Sequence, residues 1–289
     1  MINGRTALVG LLGDPVRHSL SPVMHNAALA AMECDWSYLP LPCVSRDLPV
    51  VLQGLRAIGC RGLNVTIPHK QHVAALCSEL TPLAQRLGAV NTLIPQSAGG
   101  WLGTNTDVEG FLAPLGQREQ WKGKQAVVIG CGGSARAVVA GLQSLGLTAI
   151  TVIGRRAEAL KGFIETLQQE DSPLTPCLNS NAELTMVVQN ADVLINTTPV
   201  GMAQHGDTDA IPLGQEIWTD LNPKAVLYDL VYTPRPTAWL RWGQDHGYRC
   251  IDGLEMLVQQ GAASLRLWSE RNDVPVDAMR SAAETALKP

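Results

Sequence analysis

Short apolar runs alternate along the whole chain with segments in which apolar residues recur at helical spacing. The apolar runs predict strands at Ala7–Leu12, Trp36–Leu41, Gly62–Ile67, Ala89–Pro95, Gln125–Gly130, Ala149–Ile153, Val193–Asn196, Val226–Leu230 and Arg249–Ile251. The segments between them predict helices, among them His25–Met32, Leu48–Ile58, Ala135–Leu145 and Arg155–Gln169. This strand–helix alternation predicts an α/β protein with parallel sheets that helices cover on both faces.

The chain, which has 289 residues, is long enough for two domains, and a boundary is predicted between residues 104 and 123. The polar stretch TNTD is followed there by a short predicted helix, Val108–Leu115, and a new β-α-β pattern starts at Gln125. We therefore expect a first domain at residues 1–107 and a second domain at residues 108–253. The helices of residues 254–289 are expected to pack back on the first domain and complete it.

Composition and charge limit the classes of function. Hydrophobic residues make up 46% of the chain and charged residues 17%, which is typical of a globular protein. The net charge of −4 comes without a basic block, so we expect no nucleic-acid partner. No apolar run is long enough for a membrane span, and we expect no membrane partner. The seven cysteines are scattered, which favours reduced thiols and a cytoplasmic location. A homodimer is left open.

A glycine-rich loop stands between a predicted strand and a predicted helix. It has the spacing G-x-G-x-x-A and consists of Gly130, Cys131, Gly132, Gly133, Ser134 and Ala135. In such a loop Gly130 permits a tight turn, Gly132 lets the backbone approach a pyrophosphate, and Ala135 lets the helix pack near the strand. The phosphates then meet free N–H groups at the positive end of the helix. The pattern predicts a Rossmann-type dinucleotide-binding domain.

The next predicted strand ends in Gly154, Arg155 and Arg156, where an NAD site would place an acidic residue. A guanidinium group matches a phosphate, so the pair indicates NADP as the cofactor. The alternative is a solvated pair of arginines at the start of a helix. The loop Asn196–Met202 closes the third strand of this domain, and we expect Thr197 there to contact the cofactor. The alternative for that segment is an ordinary Pro/Gly loop.

The predicted first domain carries polar residues at strand ends. Ser21 precedes Pro22 and is expected to cap a helix, whereas Ser19 has no such structural role, and the two hydroxyls could hold a carboxylate. Asn64 and Thr66 alternate with apolar residues and are expected to share one strand face. Lys70 follows at the strand-to-helix turn, Asn91 lies in the next strand, and Asp107 ends the strand after that, WLGTNTD.

A lysine beside a carboxylate can act as a general acid and base, which is the role that Lys70 and Asp107 could have. The alternative for Lys70 is an ordinary surface lysine. His69 and His72 lie three residues apart without a matching carboxylate or cysteine pair, so we predict no metal site.

Eight ordered segments together resemble the shikimate dehydrogenase family and span nearly the whole chain. They are Ser19–Pro22, Asn64–Lys70, Gly88–Thr92, Thr104–Gly110, Gly130–Ala135, Asn196–Met202, Tyr228–Tyr232 and Gly253–Gln260. The resemblance implies NADP-dependent interconversion of 3-dehydroshikimate and shikimate, a step in the biosynthesis of chorismate and the aromatic amino acids.

The resemblance also implies roles for individual residues. Lys70 and Asp107 would form the catalytic pair at the reacting C3 oxygen. Ser19 and Ser21 would bind the substrate carboxylate. The other substrate contacts would come from Asn64, Thr66, Asn91, Tyr232 and Gln260. The nicotinamide pocket would be lined by Leu230, Gly253 and Met256.

One position departs from the family pattern. The family has a basic residue where this chain has Ala159, and Arg156 or Lys161 could compensate for its loss. Two alternatives stay open: a quinate/shikimate dehydrogenase of broader cofactor use, and a non-catalytic NADP-binding sensor. Such a sensor would be expected to lack Lys70 or Asp107, and both are present.

Overall fold

The computed structural model describes residues 2–170, 172–180 and 182–288. The chain forms two compact units. The first ends at Gly110 and takes up the chain again from Leu257 onward, and the second comprises Phe111–Met256. The predicted domain boundaries, 107/108 and 253/254, lie within a few residues of these limits.

The described residues form two six-stranded sheets and eleven α-helices. The strands are β1 (Ala7–Gly13), β2 (Trp36–Pro42), β3 (Gly62–Val65), β4 (Glu79–Leu80), β5 (Thr92–Pro95), β6 (Trp101–Thr104), β7 (Gln125–Ile129), β8 (Ala149–Gly154), β9 (Leu174–Leu178), β10 (Val193–Asn196), β11 (Val226–Asp229) and β12 (Arg249–Ile251). The helices are α1 (Ser21–Ala31), α2 (Leu48–Ala57), α3 (Lys70–Ala74), α4 (Pro82–Leu87), α5 (Asp107–Leu112), α6 (Gly133–Leu145), α7 (Ala157–Leu167), α8 (Leu184–Gln189), α9 (Ala238–Asp245), α10 (Gly253–Ser269) and α11 (Val276–Ala286).

The sheet of the first unit is mixed, with the strand order β2-β1-β3-β5-β6-β4. β1 runs parallel to β2 and β3, but β5 runs antiparallel to both β3 and β6. The prediction of a fully parallel sheet is therefore wrong for this unit. The physical reason is the short turn between β5 and β6, in which Gly99 (φ +97°) and Gly100 (φ +79°) adopt left-handed conformations. A turn this short joins antiparallel strands only, since a parallel pair needs a long crossover.

The sheet of the second unit is fully parallel, with the order β12-β11-β10-β7-β8-β9. This is the strand order of a Rossmann-type domain, with β7 and β10 as neighbours at the point where the order reverses. Ligands of such sheets bind at the carboxyl ends of these two strands. The α/β fold class with a Rossmann-type second domain, predicted from the sequence, is confirmed.

Several predicted elements differ from the structure in their extent. β4 and β9 were not predicted, because β4 has two residues and β9 carries Pro176 on the edge of its sheet, where proline is tolerated. The predicted strand Gly62–Ile67 ends at Val65, and Ile67 is 61% exposed. Pro68 follows and has no N–H group with which to continue a ladder.

The C-terminal helices belong to the first unit, as expected, and α11 packs against α1. Trp268 of α10 donates a hydrogen bond from Nε1 to the Leu93 carbonyl oxygen at 3.0 Å, and its indole ring lies against Gly62 of β3. Among the helices of the described residues, none combines the length and the apolar character that crossing a membrane requires.

We expect Gly62→Ala to destabilise the protein, because the added Cβ would overlap the Trp268 indole. Overpacking of this kind lowers the free energy of unfolding by about 1–3 kcal/mol. Gly54→Ala is the matched control, since a Cβ at Gly54 of α2 meets open space and alanine favours the helix by about 0.5–1 kcal/mol. Urea unfolding of both variants measures the difference, and equal stability of the two would contradict this packing.

Candidate active site

The first unit brings together an ammonium and a carboxylate that the sequence placed on separate segments. Lys70 is the first residue of α3, and Asp107 is the first residue of α5. Lys70 Nζ lies 2.6 Å from Asp107 Oδ2, and the two side chains are only 12% and 6% exposed. Lys70 is therefore not an ordinary surface lysine, and its charge meets its counterion largely away from water.

Asn91 fixes the other oxygen of the Asp107 carboxylate. Asn91 Nδ2 donates to Asp107 Oδ1 at 2.8 Å, while Asn91 Oδ1 accepts from the backbone N–H of Thr106 at 2.8 Å. The backbone N–H of Asp107 donates to Asn105 Oδ1 at 3.0 Å, which shapes the turn into α5. Both carboxylate oxygens thus have fixed partners, and the orientation of the ion pair is set by neighbouring amides.

Gln260 of α10 reaches the same cluster. Its Oε1 accepts from Asn91 Nδ2 at 3.2 Å, and its Nε2 donates to the Leu257 carbonyl oxygen at 2.8 Å. Thr66 lies one residue beyond β3, and its backbone N–H donates to the Leu12 carbonyl oxygen at 2.8 Å. The half-buried Thr66 hydroxyl makes no side-chain hydrogen bond within the described residues, so it is available to a ligand.

The structural roles of Ser19 and Ser21 differ from the predicted ones, because Ser19 and not Ser21 hydrogen-bonds to the backbone at the start of α1. α1 begins at Ser21, its N-cap is Leu20, and no side chain caps it, so the predicted cap by Ser21 is wrong. Ser19 does have a structural role, because its Oγ accepts a hydrogen bond from the Ser21 backbone N–H at 3.2 Å. A hydroxyl two residues ahead of a helical N–H can satisfy that group without being the cap residue.

Sequence reasoning missed a buried polar layer beneath these residues. Tyr38 Oη donates to Asn64 Oδ1 at 2.8 Å, and Asn64 Nδ2 donates to Ser264 Oγ at 2.8 Å. The hydroxyls of Thr92 and Thr106 lie 2.8 Å and 3.2 Å from Ser264 Oγ. Tyr38 stands in an apolar run and has the pattern of a core residue, but the position of Ser264 one helical turn after Gln260 was a usable signal.

The glycine loop of the second unit has the predicted conformation. Gly130 has φ +108°, and a Cβ there would lie 2.6 Å from Thr197 Oγ1, which itself donates to the Ile129 carbonyl oxygen at 2.7 Å. Gly132 is the N-cap of α6, and a Cβ at Gly132 would meet open space. Gly130, Cys131, Gly132, Gly133 and Ser134 are at least partly accessible, whereas Ala135 is buried.

Two exposed arginines follow β8. Neither Arg155 nor Arg156 makes an ion pair or a side-chain hydrogen bond with any residue that the structure describes, and Arg156 is the N-cap residue of α7. Lys161, in contrast, lies 4.0 Å from Glu165 one turn along α7. Of the two residues that could substitute for the basic group missing at Ala159, only Arg156 has no counterion among the described residues.

The carboxyl ends of β10 and β11 are joined through the buried carboxylate of Asp229, which is 1% exposed. Its Oδ1 accepts from Asn196 Nδ2 at 2.9 Å and from the Val231 N–H at 3.1 Å, and its Oδ2 accepts from Thr237 Oγ1 at 2.8 Å. Burial raises the pKa of Asp229 to about 6, although the three hydrogen bonds oppose this shift. Asp229 therefore connects the end of β10 with the loop that follows β11.

The loop after β11 and the start of α10 contain the remaining residues predicted to contact substrate or cofactor: Leu230, Tyr232, Gly253 and Met256. Leu230 is half-buried, and a Cβ on Gly253 would overlap the Leu230 carbonyl oxygen, so only glycine fits at this contact. Met256 is buried. Burial raises the pKa of Tyr232, which lies in the second unit. Within residues 2–170, 172–180 and 182–288, no group of three His, Cys, Asp or Glu side chains is placed to hold a metal ion.

Family models match the chain in three segments. One described as the shikimate dehydrogenase substrate binding domain matches residues 11–93. One described as shikimate / quinate 5-dehydrogenase matches residues 115–203, and one described as the shikimate 5'-dehydrogenase C-terminal domain matches residues 253–284.

Individual relatives match over nearly their full length. A Synechocystis protein named shikimate dehydrogenase (NADP(+)) is 50% identical over 282 residues, which cover 97% of this chain and 96% of the relative. The crystal structure of a shikimate dehydrogenase in complex with NADP+ has a TM-score of 0.87 at 31% identity, covering 100% of this chain and 98% of the other. Shikimate 5-dehydrogenase from Thermus thermophilus, in complex with NADP(H) and shikimate, has a TM-score of 0.83 at 34% identity, covering 98% and 100%. The chain therefore belongs to the shikimate dehydrogenase family.

Proposed function

We propose that this protein catalyses the reversible, NADP-dependent reduction of 3-dehydroshikimate to shikimate, a step in the biosynthesis of chorismate and the aromatic amino acids. The observation that carries the proposal is the Lys70–Asp107 pair, 2.6 Å apart and largely buried among amide and hydroxyl groups. Family membership supports it, since the relatives named above are NADP(+) enzymes or bind shikimate.

In the reduction, negative charge develops on the C3 carbonyl oxygen of the substrate. Bound NADPH supplies the hydride. The Lys70 ammonium stabilises the developing charge and gives the oxygen a proton. Asp107 holds the ammonium in place and shares in the proton transfer, while Asn91 keeps the carboxylate oriented. In the oxidation of shikimate the same pair removes the proton.

The surrounding polar groups are proposed to orient the substrate. Ser19 and Ser21 would bind its carboxylate near the start of α1, where backbone N–H groups favour negative charge. The free Thr66 hydroxyl can contact the carboxylate or a ring hydroxyl. Asn91 Nδ2 has two protons and three acceptors within hydrogen-bond distance, so Gln260 Oε1 can also accept from a ring hydroxyl. We propose that Asn64 binds a ring hydroxyl of the substrate and that Tyr232 also contacts the substrate.

The second unit has the features that an NADP site needs. Open space at Gly132 lets a pyrophosphate approach the backbone, and the N-terminus of α6 offers N–H groups to it. Cys131, Gly133 and Ser134 complete this loop, and Gly154 and Thr197 lie at its edges. Arg155 and Arg156, which have no ion-pair partner in the described part of the chain, suit a 2′-phosphate. Leu230, Gly253 and Met256 are proposed to line the nicotinamide pocket.

We propose that the protein is located in the cytoplasm. All seven cysteines are free, which suits the proposed cytoplasmic location. Analytical ultracentrifugation shows whether the protein is a homodimer in solution. The alternative of a non-catalytic NADP-binding sensor is disfavoured because Lys70 and Asp107 are both present and form an ion pair. The use of quinate is tested by the initial-rate measurements below.

We expect wild-type protein to reduce NADP+ with shikimate and Lys70→Met to lose about 10²- to 10⁴-fold in kcat, because the proton donor is removed. Binding of NADP+ should be unchanged. Lys124→Met is the matched control, since Lys124 forms an ion pair with Asp192 at 2.9 Å in the other unit. Initial rates with shikimate and quinate measure both effects. Absence of turnover by the wild type would contradict the proposed function, and full activity of Lys70→Met would remove Lys70 from the reaction.

Arg155→Ala and Arg156→Ala should each raise the KM for NADP+ about tenfold, the effect of losing roughly 1.4 kcal/mol of charge-assisted hydrogen bonding. The KM for NAD+, which lacks the 2′-phosphate, should stay the same. Lys161→Ala is the control, since Lys161 lies beside Glu165. If Lys161→Ala weakens NADP+ binding while both arginine variants do not, the 2′-phosphate site is assigned to the wrong residues.

Asp229 should make the stability of the protein depend on pH. Its pKa is about 6 in the folded protein, against an ordinary value of 3.8, so its contribution is fully present below pH 3.8 and is lost as the pH rises through 6. Between pH 4 and 7 the free energy of unfolding of the wild type should fall by about 1–3 kcal/mol relative to that of Asp229→Asn. Urea unfolding of both proteins across this range measures the difference, and a difference that is constant with pH would contradict the assignment.

A further inference from the structure

The side-chain amide of Asn64 has one defined orientation. Its Nδ2 lies 3.2 Å from the backbone carbonyl oxygen of Asn91, which can only accept a hydrogen bond. The same nitrogen lies 3.2 Å from Thr92 Oγ1 and 2.8 Å from Ser264 Oγ. The opposite atom, Oδ1, therefore faces the Tyr38 hydroxyl at 2.8 Å.

Tyr38 is held rigidly on its own side. In the backbone, the Tyr38 N–H donates to Asn26 Oδ1 and the Tyr38 carbonyl accepts from Asn26 Nδ2, both at 2.9 Å. Its ring stacks on His25, with the ring centroids 4.1 Å apart and the planes at 16°. Burial lowers the pKa of His25 to about 4, so this neighbour carries no charge at neutral pH.

The Tyr38 hydroxyl is a fixed hydrogen-bond donor. The residue is 1% exposed, and burial raises the pKa of its hydroxyl, which stays protonated. Its single proton is directed to Asn64 Oδ1. Its route to the substrate is through Asn64, the side chain that accepts this proton.

Ser264 holds the nitrogen side of the same amide. It is 0% exposed, and its hydroxyl donates to the Gln260 carbonyl oxygen at 3.0 Å, which leaves its lone pairs to accept from Asn64 Nδ2. Ser264 thereby links Asn64 of β3 to the turn of α10 that carries Gln260.

We propose that Tyr38 and Ser264 are positioning residues that hold the Asn64 amide in a single orientation for recognition of a substrate ring hydroxyl. The inference rests on the proposed function. An amide turned by 180° has nearly the same shape but exchanges donor for acceptor, so shape alone does not select the productive orientation. Turning it here would place an oxygen against the Asn91 carbonyl oxygen, which cannot donate, and would leave the Tyr38 hydroxyl proton without its acceptor.

Removal of the two hydroxyls tests this role. Tyr38→Phe deletes one oxygen without changing the ring, and we expect the KM for shikimate to rise about tenfold with kcat changed less than the KM. Ser264→Ala should raise the KM for shikimate about threefold, because Asn64 Nδ2 keeps two other acceptors. The KM for NADP+ should not change in either variant.

Two control variants make the same chemical changes elsewhere. Tyr228→Phe removes the hydroxyl of a buried tyrosine that lies 3.5 Å from the Phe111 carbonyl oxygen. Ser269→Ala removes a hydroxyl of the same helix α10 that donates to the Leu265 carbonyl oxygen at 2.7 Å. Both should keep the wild-type KM for shikimate.

A double-mutant cycle with Asn64→Ala separates positioning from general stability. If Tyr38 acts through Asn64, then Tyr38→Phe should change the KM for shikimate less than about twofold in the Asn64→Ala background. Full additivity of the two effects, or a Tyr38→Phe KM equal to that of the wild type, would overturn the inference. If Tyr38→Phe failed to fold, Ser264→Ala in the same cycle gives the same decision. Loss of all shikimate turnover in the wild type would instead overturn the proposed function itself.

Discussion

Asn91 donates one amide proton to the Asp107 carboxylate, and this hydrogen bond allows the Lys70–Asp107 pair to exist away from water. Burying an ammonium and a carboxylate costs on the order of several kcal/mol per ion, which is recovered only when the geometry is good and the remaining lone pairs are satisfied. Here Oδ2 accepts from Lys70 and Oδ1 accepts from Asn91. Asn91 is in turn fixed by the Thr106 backbone, so the pair has little freedom to separate.

The mixed sheet of the first unit makes this arrangement possible. Because β5 is antiparallel to β3 and β6, Asn64 is paired with Thr92, and Thr92 with Thr104. The polar ends of three consecutive sheet strands thereby meet at one edge, and Ser264 of α10 closes the cluster from the helix side. The site is thus one continuous hydrogen-bonded layer, in which the orientation of each amide depends on its neighbours.

The sequence was sufficient for features that depend on local spacing. The glycine loop and the arginines after β8 were predicted from their position after an apolar run, and Asn64 and Thr66 from their alternation with apolar residues. The antiparallel pairing of β5 was not predicted, because strand pairing depends on contacts between distant segments. Tyr38 was missed because a tyrosine in an apolar strand has the pattern of a core residue, and only the position of Asn64 across the sheet shows what its hydroxyl does. Ser19 and Ser21 show that a cap motif does not fix which hydroxyl meets the backbone.

Chemical rescue of Lys70→Ala by small primary amines tests proton donation by Lys70 most directly. The variant leaves space where the ammonium stood and keeps the Asp107 carboxylate, so an alkylammonium ion can take its place. General-acid catalysis predicts that the rate of 3-dehydroshikimate reduction rises with amine concentration and varies with the pKa of the amine. A rate that is independent of amine concentration and identity, in a variant that still binds substrate and NADPH, would contradict proton transfer from this position.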